Sequence, residues 1–400
     1  MTNTENVKIY NFILFFRAII LLAPITLLFY QYNGLSSNEL FFFQGVFYLT
    51  SIIMEIPVGY LSNLYSRKNL LALSFIIYLA VILSWLFFRG YYIVLIGEIF
   101  CAISKVIMDN VISGYLYNVL QSNDLESKMP KYYGYINSSL ALGTAFAAII
   151  GTLLYSKFGF NTLLITQTGI ILTAILLLRE LPNIKTLQYI PSELKKKSKS
   201  FLCSIKILLK KENLKYHILY SGILTSCSIL FALSFQILIQ NSHLPVLIFG
   251  LVAFLNHGIR ATASYFAKLF DKFSLTKLSN ILLYLYTLAF MLILLSNNYN
   301  NKVLTLISIG IICLFIGLQL IFTILHISRA HTLIINKQRG TLMAVNNFVS
   351  RFLAALVLIT SKIFTNTQTG FEFYYMIMLI LFIIISLRLV LKISKQKVIE

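Results

Sequence analysis

Apolar residues along this chain come in long unbroken blocks, each about the 20 residues that a helix needs to cross a bilayer's hydrocarbon. The blocks predict helices at 9–32, 38–64, 69–88, 91–120, 132–156 and 159–179, and again at 214–241, 244–270, 275–296, 301–334, 341–364 and 372–393. Between the two sets lies one long polar stretch, 180–213, holding Lys195, Lys196, Lys197, Lys199, Lys206, Lys210 and Lys211. Strands are excluded, because an open sheet edge cannot be satisfied in lipid and the blocks lack the alternation of a barrel. The predicted fold is an all-α membrane protein of twelve transmembrane helices in two six-helix bundles, 1–179 and 214–400, joined by the basic linker 180–213. Such a duplicated layout is that of secondary transporters, whose binding site lies at the midplane where the halves meet.

Composition supports this. Of 400 residues, 58% are hydrophobic and only 12% charged, whereas a soluble surface needs about a quarter charged. A soluble enzyme with a tail anchor is excluded. The net charge of +20, from 33 Lys+Arg against 13 Asp+Glu, would suggest nucleic acid in a soluble chain. Here the excess of basic residues in cytoplasmic loops explains it first, and nucleic acid is not an expected partner. With the N-terminus inside, the inner loops hold Arg67 and Lys68, Lys128 and Lys131, the lysine-rich linker, Lys268 and Lys272, and Lys337 and Arg339. The outer loops keep little more than Arg89, Lys157, Lys302 and Lys362, so both termini are expected in the cytoplasm. Lys8 and an apolar run containing Arg17, without a small-residue cleavage site, read as a first span and not a removable signal. Cys101, Cys203, Cys227 and Cys313 show no paired spacing, so no disulfide frame, metal site or cofactor is expected. Abundant Asn, Lys, Ile, Phe and Tyr suggest an AT-rich bacterial genome and hence a bacterial inner membrane.

At the end of the second span the chain reads Glu55-Ile56-Pro57-Val58-Gly59-Tyr60-Leu61-Ser62-Asn63-Leu64-Tyr65-Ser66-Arg67-Lys68. Gly59 would permit close helix approach, and the basic pair would hold the loop on the cytoplasmic side. This segment resembles the signature of the major facilitator superfamily between its second and third helices, and the Glu-Ile-Pro-x-Gly element resembles an exporter-like bacterial branch. Ser113 to Leu120, ending the fourth span, looks like the corresponding region of those members. The resemblance implies that Gly59, Asn63, Arg67, Lys68 and Asn118 form a conformational motif. Asn63 and Asn118 stand where the family often has acids, so an inner latch here would rest on weaker, uncharged hydrogen bonds. Ser66 replaces a loop glycine, and Ala267-Lys268-Leu269-Phe270-Asp271-Lys272 is a degraded echo of the motif in the second half. Gly143, Ala147 and Gly151 repeat every four residues in the fifth span without the Gly-Pro pair of drug antiporters, which points to helix packing.

Ionisable groups at membrane depth are costly unless they are paired or face a wet cavity. Glu98, Lys105 and Asp109 lie within roughly 40° of one another on the fourth helix, as the offsets of seven and eleven residues require. Lys105 and Asp109 either neutralise each other, or Lys105 meets an anionic cargo while Asp109 or Glu98 takes up protons. Arg17 and Glu55 could pair between the first two spans, or Arg17 could touch cargo. Asn256, His257 and Arg260 sit on the eighth span, Gln319, His326 and Arg329 on the tenth, and Asn347 and Arg351 on the eleventh. Arg17, Lys105, Arg260, Arg329 and Arg351 against Glu55, Glu98 and Asp109 leave the interior positive, although Arg329 is near enough to the cytoplasmic end to snorkel.

A positive interior attracts anions, and arginine matches carboxylate or phosphate in a bidentate way. The expected function is a proton-coupled secondary transporter of a small organic anion or amphiphilic metabolite, such as a carboxylate siderophore. Export is favoured, with multidrug efflux or import of a host-derived anionic nutrient as alternatives. Arg17, Lys105, Arg260, Arg351, Gln236, Asn256 and Gln319 are the expected cargo contacts. Glu55, Glu98, Asp109, His257 and His326 are the proton-coupling candidates, the histidines because their ordinary pKa is near 6.5. Gln240, Tyr135, Asn137 and Tyr48 are further neutral donors for the cavity. Beyond cargo and protons the expected partner is the bilayer, with the chain acting as a monomer. No enzyme constellation is present in the sequence.

Overall fold

Backbone groups inside hydrocarbon have no water to bond, so each apolar block closes its own hydrogen bonds as helix. A computed structural model describes residues 3–121, 129–182, 212–266, 275–299, 301–332 and 339–364, with the isolated positions 376, 380 and 383. Its long helices are α1 (Asn3–Ala18), α2 (Thr26–Tyr32), α3 (Ser37–Leu64), α4 (Arg67–Phe87), α5 (Tyr91–Gln121), α6 (Met129–Leu177), α7 (Glu212–Asn241), α8 (Leu247–Phe266), α9 (Leu275–Tyr299), α10 (Lys302–Thr332) and α11 (Arg339–Phe364). All regular structure among the described residues is helical. Helix accounts for eleven of the twelve expected spans, while most of 372–393, most of the linker and the segment 267–272 lie outside the described residues.

Two boundaries differ from a one-block, one-helix reading. The first span is two helices, α1 and α2, parted at residues 19–25. The fifth and sixth spans run together as α6 and turn at Gly159, whose φ of 77° lies in the left-handed region that glycine alone enters freely. Elsewhere the ends follow local chemistry: Ser66 caps α4, its hydroxyl accepting from the Asn69 amide at 3.3 Å.

The chain divides into two compact units. One gathers Met1–Ser36, Leu49–Lys196 and Phe249–His257, the other Ser37–Tyr48, Lys197–Ile248 and Gly258–Glu400. The first is built on a buried cluster including Tyr10, Leu14, Leu71, Phe75, Val111, Tyr115 and Leu178. The second buries Tyr220, Phe231, Tyr286, Phe315 and Phe322, with the Phe231 and Tyr286 ring centroids 4.8 Å apart. Lipid tails are as apolar as leucine, so close packing and not water exclusion binds such helices. Small residues supply it. A Cβ on Gly143 would stand 2.6 Å from the Phe15 carbonyl oxygen, and one on Gly151 would meet the Leu21 carbonyl. The expected packing stripe therefore lies against the first span. In the second unit, Gly45 lets α3 approach α11, where a Cβ would be 2.9 Å from the Ile359 nitrogen.

Candidate functional site

The fourth span, α5, carries the densest polar face of the first unit. Lys105 Nζ donates to both oxygens of Asp109, at 2.5 and 2.6 Å. Their side chains remain 44% and 30% exposed, so the pair neutralises itself without being sealed in. Next to Lys105 in the chain, Ser104 is fully buried and exchanges hydrogen bonds with Ser74 of α4, its hydroxyl donating to the Ser74 carbonyl at 2.8 Å while the Ser74 hydroxyl donates to the Ser104 carbonyl at 3.0 Å. Ser104 also accepts from Arg17 Nη2 at 3.0 Å.

Arg17 is 2% exposed. Its guanidinium lies over the Tyr78 ring, 4.1 Å from the centroid, and 5.8 Å from that of Phe75. Nε and Nη1 have no hydrogen-bond partner among the described residues. The expected pairing of Arg17 with Glu55 is therefore not formed: an aromatic face and a hydroxyl occupy the ground a carboxylate would take, and Glu55 is half-buried on α3. Asp109 is within electrostatic reach of Arg17, as is Cys101.

Glu98 shares the helical face of Lys105 and Asp109 but not their surroundings. It is 6% exposed and accepts from the Tyr30 hydroxyl at 2.7 Å. Seven residues along a helix is about 10 Å of rise, which moves Glu98 to a depth that α2 covers.

The remaining expected contacts are distributed. Asn256, on α8, is buried, and its Oδ1 has no partner among the described residues. In the second unit, Gln319 is buried and donates to Thr323 Oγ1 at 2.9 Å, Gln236 is buried, and Arg260 is exposed. Arg351 is half-buried. Tyr48 lies within electrostatic reach of both Arg260 and Arg351, so three donors from α3, α8 and α11 approach one another there. His257 is half-buried, while the side chains of His326 and Arg329 lie outside the described residues.

The motif behaves differently from its expected mechanics. Gly59 has open space where a Cβ would stand, so no close helix contact among the described residues depends on it. That role falls to Gly114 of α5, whose missing side chain makes room for the Arg67 guanidinium. Lys68 Nζ donates to the carbonyls of Arg179, at 3.1 Å, and of Leu181, satisfying the end of the sixth span. Nearby, the Tyr10 and Tyr115 hydroxyls donate to the carbonyls of Ile112 and Pro182, at 3.1 and 3.0 Å. Asn118 is half-exposed, and the Asn63 side chain lies outside the described residues. A cavity of about 300 Å³ beside this loop is lined by Leu61, Tyr65, Asn69, Leu70 and Leu73 and carries no charge.

Sequence reasoning missed Tyr78, Ser104, Tyr30 and above all Gln167. This fully buried glutamine of the sixth span accepts from the Leu21 amide and donates to the Ile19 carbonyl, both at 2.8 Å, inside the break of the first span. A readable signal was Pro24, which cannot continue a helix across that break.

Apolar helices long enough to cross a bilayer, with one ion pair and a buried arginine among the described residues, define a multi-pass membrane protein. The profile of the Major Facilitator Superfamily matches residues 9–358, and the chain belongs to that family. An uncharacterised MFS-type transporter of Methanocaldococcus jannaschii is 26% identical over 140 residues, 35% of each chain, so the match spans about a third of that relative's length. Among solved structures, a nucleoside transporter NupG superposes with a TM-score of 0.77 at 12% identity, covering 97% of this chain and 99% of its own. A bacterial homologue of the iron transporter ferroportin, inward-facing, gives 0.74 at 13% identity over 98% and 99%. A bacterial homologue of the human lysosomal transporter Spinster, also inward-facing, gives 0.68 at 12% over 97% and 96%. At these identities the likeness is one of fold. The chain is a transporter and not an enzyme.

Proposed function

We propose that this transporter is a proton-coupled secondary carrier working by alternating access, and that its cargo is a small organic anion or an anionic amphiphile. The observation that carries the reading is Arg17: a permanent cation in an apolar span, 2% exposed, with two nitrogens lacking a hydrogen-bond partner among the described residues. A charge so placed is costly unless something compensates it. The Tyr78 face and the electrostatic reach of Asp109 compensate it in part, leaving the first unit short of negative charge. Lys105, held by Asp109 yet 44% exposed, is the group that an incoming carboxylate or phosphate reaches first. In the second unit Arg260 and Arg351, with Tyr48, offer a donor set of the same polarity. Arg329 is kept apart as a headgroup or gate residue.

Glu98 and Asp109 are the proposed proton carriers, with Glu55, His257 and His326 as secondary candidates. Protonation of Asp109 changes the charge that faces Lys105, which is how the proton is coupled to cargo. The Glu-Ile-Pro element favours export. Two six-helix bundles, 1–179 and 214–400, a cytoplasmic linker 180–213, both termini inside a bacterial inner membrane, and a monomer complete the proposal.

The test is vesicle transport of anions by the variants Lys105→Ala and Arg260→Ala. Loss of at least tenfold in turnover, with Lys105→Arg retaining part of it, is expected from removing a charge-assisted contact worth about 1.5–3 kcal/mol. Full turnover in both alanine variants refutes the assignment.

A further inference from the structure

The first span breaks between Ala18 and Thr26. Pro24 has no N–H for the Ile20 carbonyl, and its ring excludes that oxygen from a helical bond. The chain makes tight turns instead: Ala23 N donates to Ile20 O at 3.2 Å and Ile25 N to Leu22 O at 3.0 Å. At membrane depth the backbone groups released by such a break need other partners. One side chain supplies two of them. Gln167 Oε1 accepts from Leu21 N and Nε2 donates to Ile19 O, each at 2.8 Å, and its side chain is wholly buried. Gly151 clears the space beside the Leu21 carbonyl.

Each half of the span has its own tie to the fourth span. Arg17, at the end of α1, donates to Ser104, whereas Tyr30, in α2, donates to Glu98. A continuous helix would make or break both ties together. A broken one does not have to.

We propose that Gln167 is a positioning residue for transport, the pin of a hinge about which the Arg17-bearing and Tyr30-bearing halves of the first span turn separately. Both of its bonds go to residues 19 and 21, inside the break, so the pin holds while the helices on either side change angle. An apolar residue of the same size would leave the amide and the carbonyl unpaired. The inference requires a carrier that changes conformation but not an anionic cargo, so its test reads a distance and can fail independently of the cargo assignment.

Spin labels at Phe12→Cys and Leu28→Cys, in the full chain with its four native cysteines changed to serine, report the angle between the halves in lipid nanodiscs. A straight helix would set them about 24 Å apart. The parent is expected to give two distance populations. Pro24→Leu with Gln167→Leu, which allows a continuous apolar helix, is expected to collapse them to one near that value while keeping the parent's thermal stability. A parent distribution as narrow as that of the double variant overturns the proposal. Should the double variant not fold, hydrogen exchange on Gln167→Leu decides. The Leu21 amide is expected to exchange at least about tenfold faster, with 12–17 and 26–32 unchanged; unchanged exchange at Leu21 overturns it equally.

Discussion

At the scale of single residues, the charges at depth fall into two kinds. Lys105 and Asp109 were legible because a spacing of four puts two side chains together on any helix. The setting of Arg17 was not, because a helical wheel shows which residues share a face and never which neighbour covers it. The Tyr78 ring took the place assigned to Glu55. Arg17→Lys keeps the charge but loses the planar stack and the geometry toward Ser104. It is expected to destabilise the purified protein by about 1–2 kcal/mol, read as a lower midpoint in thermal unfolding; an unchanged midpoint would show that the stack contributes nothing. Two glycines make a contrast of similar kind. Alanine at Gly151 meets the Leu21 backbone, which cannot retreat, and is expected to cost about 1–3 kcal/mol. Alanine at Gly114 meets the far end of the Arg67 side chain, which can swing away, and is expected to leave the unfolding midpoint nearly unchanged while altering the motif loop.

At the scale of helices, length and apolarity located the spans well because a bilayer leaves the backbone no alternative. They could not locate the break at 19–25, where the apolar pattern runs on uninterrupted through Pro24. Gln167 was illegible for a related reason: a lone amide in a span says nothing of which backbone it will satisfy. Glu98 shows the limit of angular reasoning, since it shares a direction with Lys105 but sits about 10 Å along the axis under a different helix. The end of the sixth span depends on a charge from elsewhere in the chain. Lys68→Ala removes the donor to the Arg179 and Leu181 carbonyls. Faster amide exchange over residues 177–181 is expected, with a loss of about 1–2 kcal/mol; protection equal to the parent's would assign Lys68 no capping role.

At the scale of the whole molecule, the proposed orientation follows from the charge asymmetry between the loops. Cys203 lies in the lysine-rich stretch and offers a direct reading. A membrane-impermeant maleimide is expected to modify it in inside-out vesicles and not in right-side-out ones; the reverse pattern inverts the topology. Family membership fixes the kind of machine but leaves its cargo to the charges it carries. The most direct test of those charges is flux in proteoliposomes under an imposed pH gradient, comparing a tricarboxylate such as citrate with a lipophilic cation of similar size. Gradient-driven movement of the anion, abolished by Lys105→Ala, is the predicted result. Movement of the cation in preference to the anion would contradict the account.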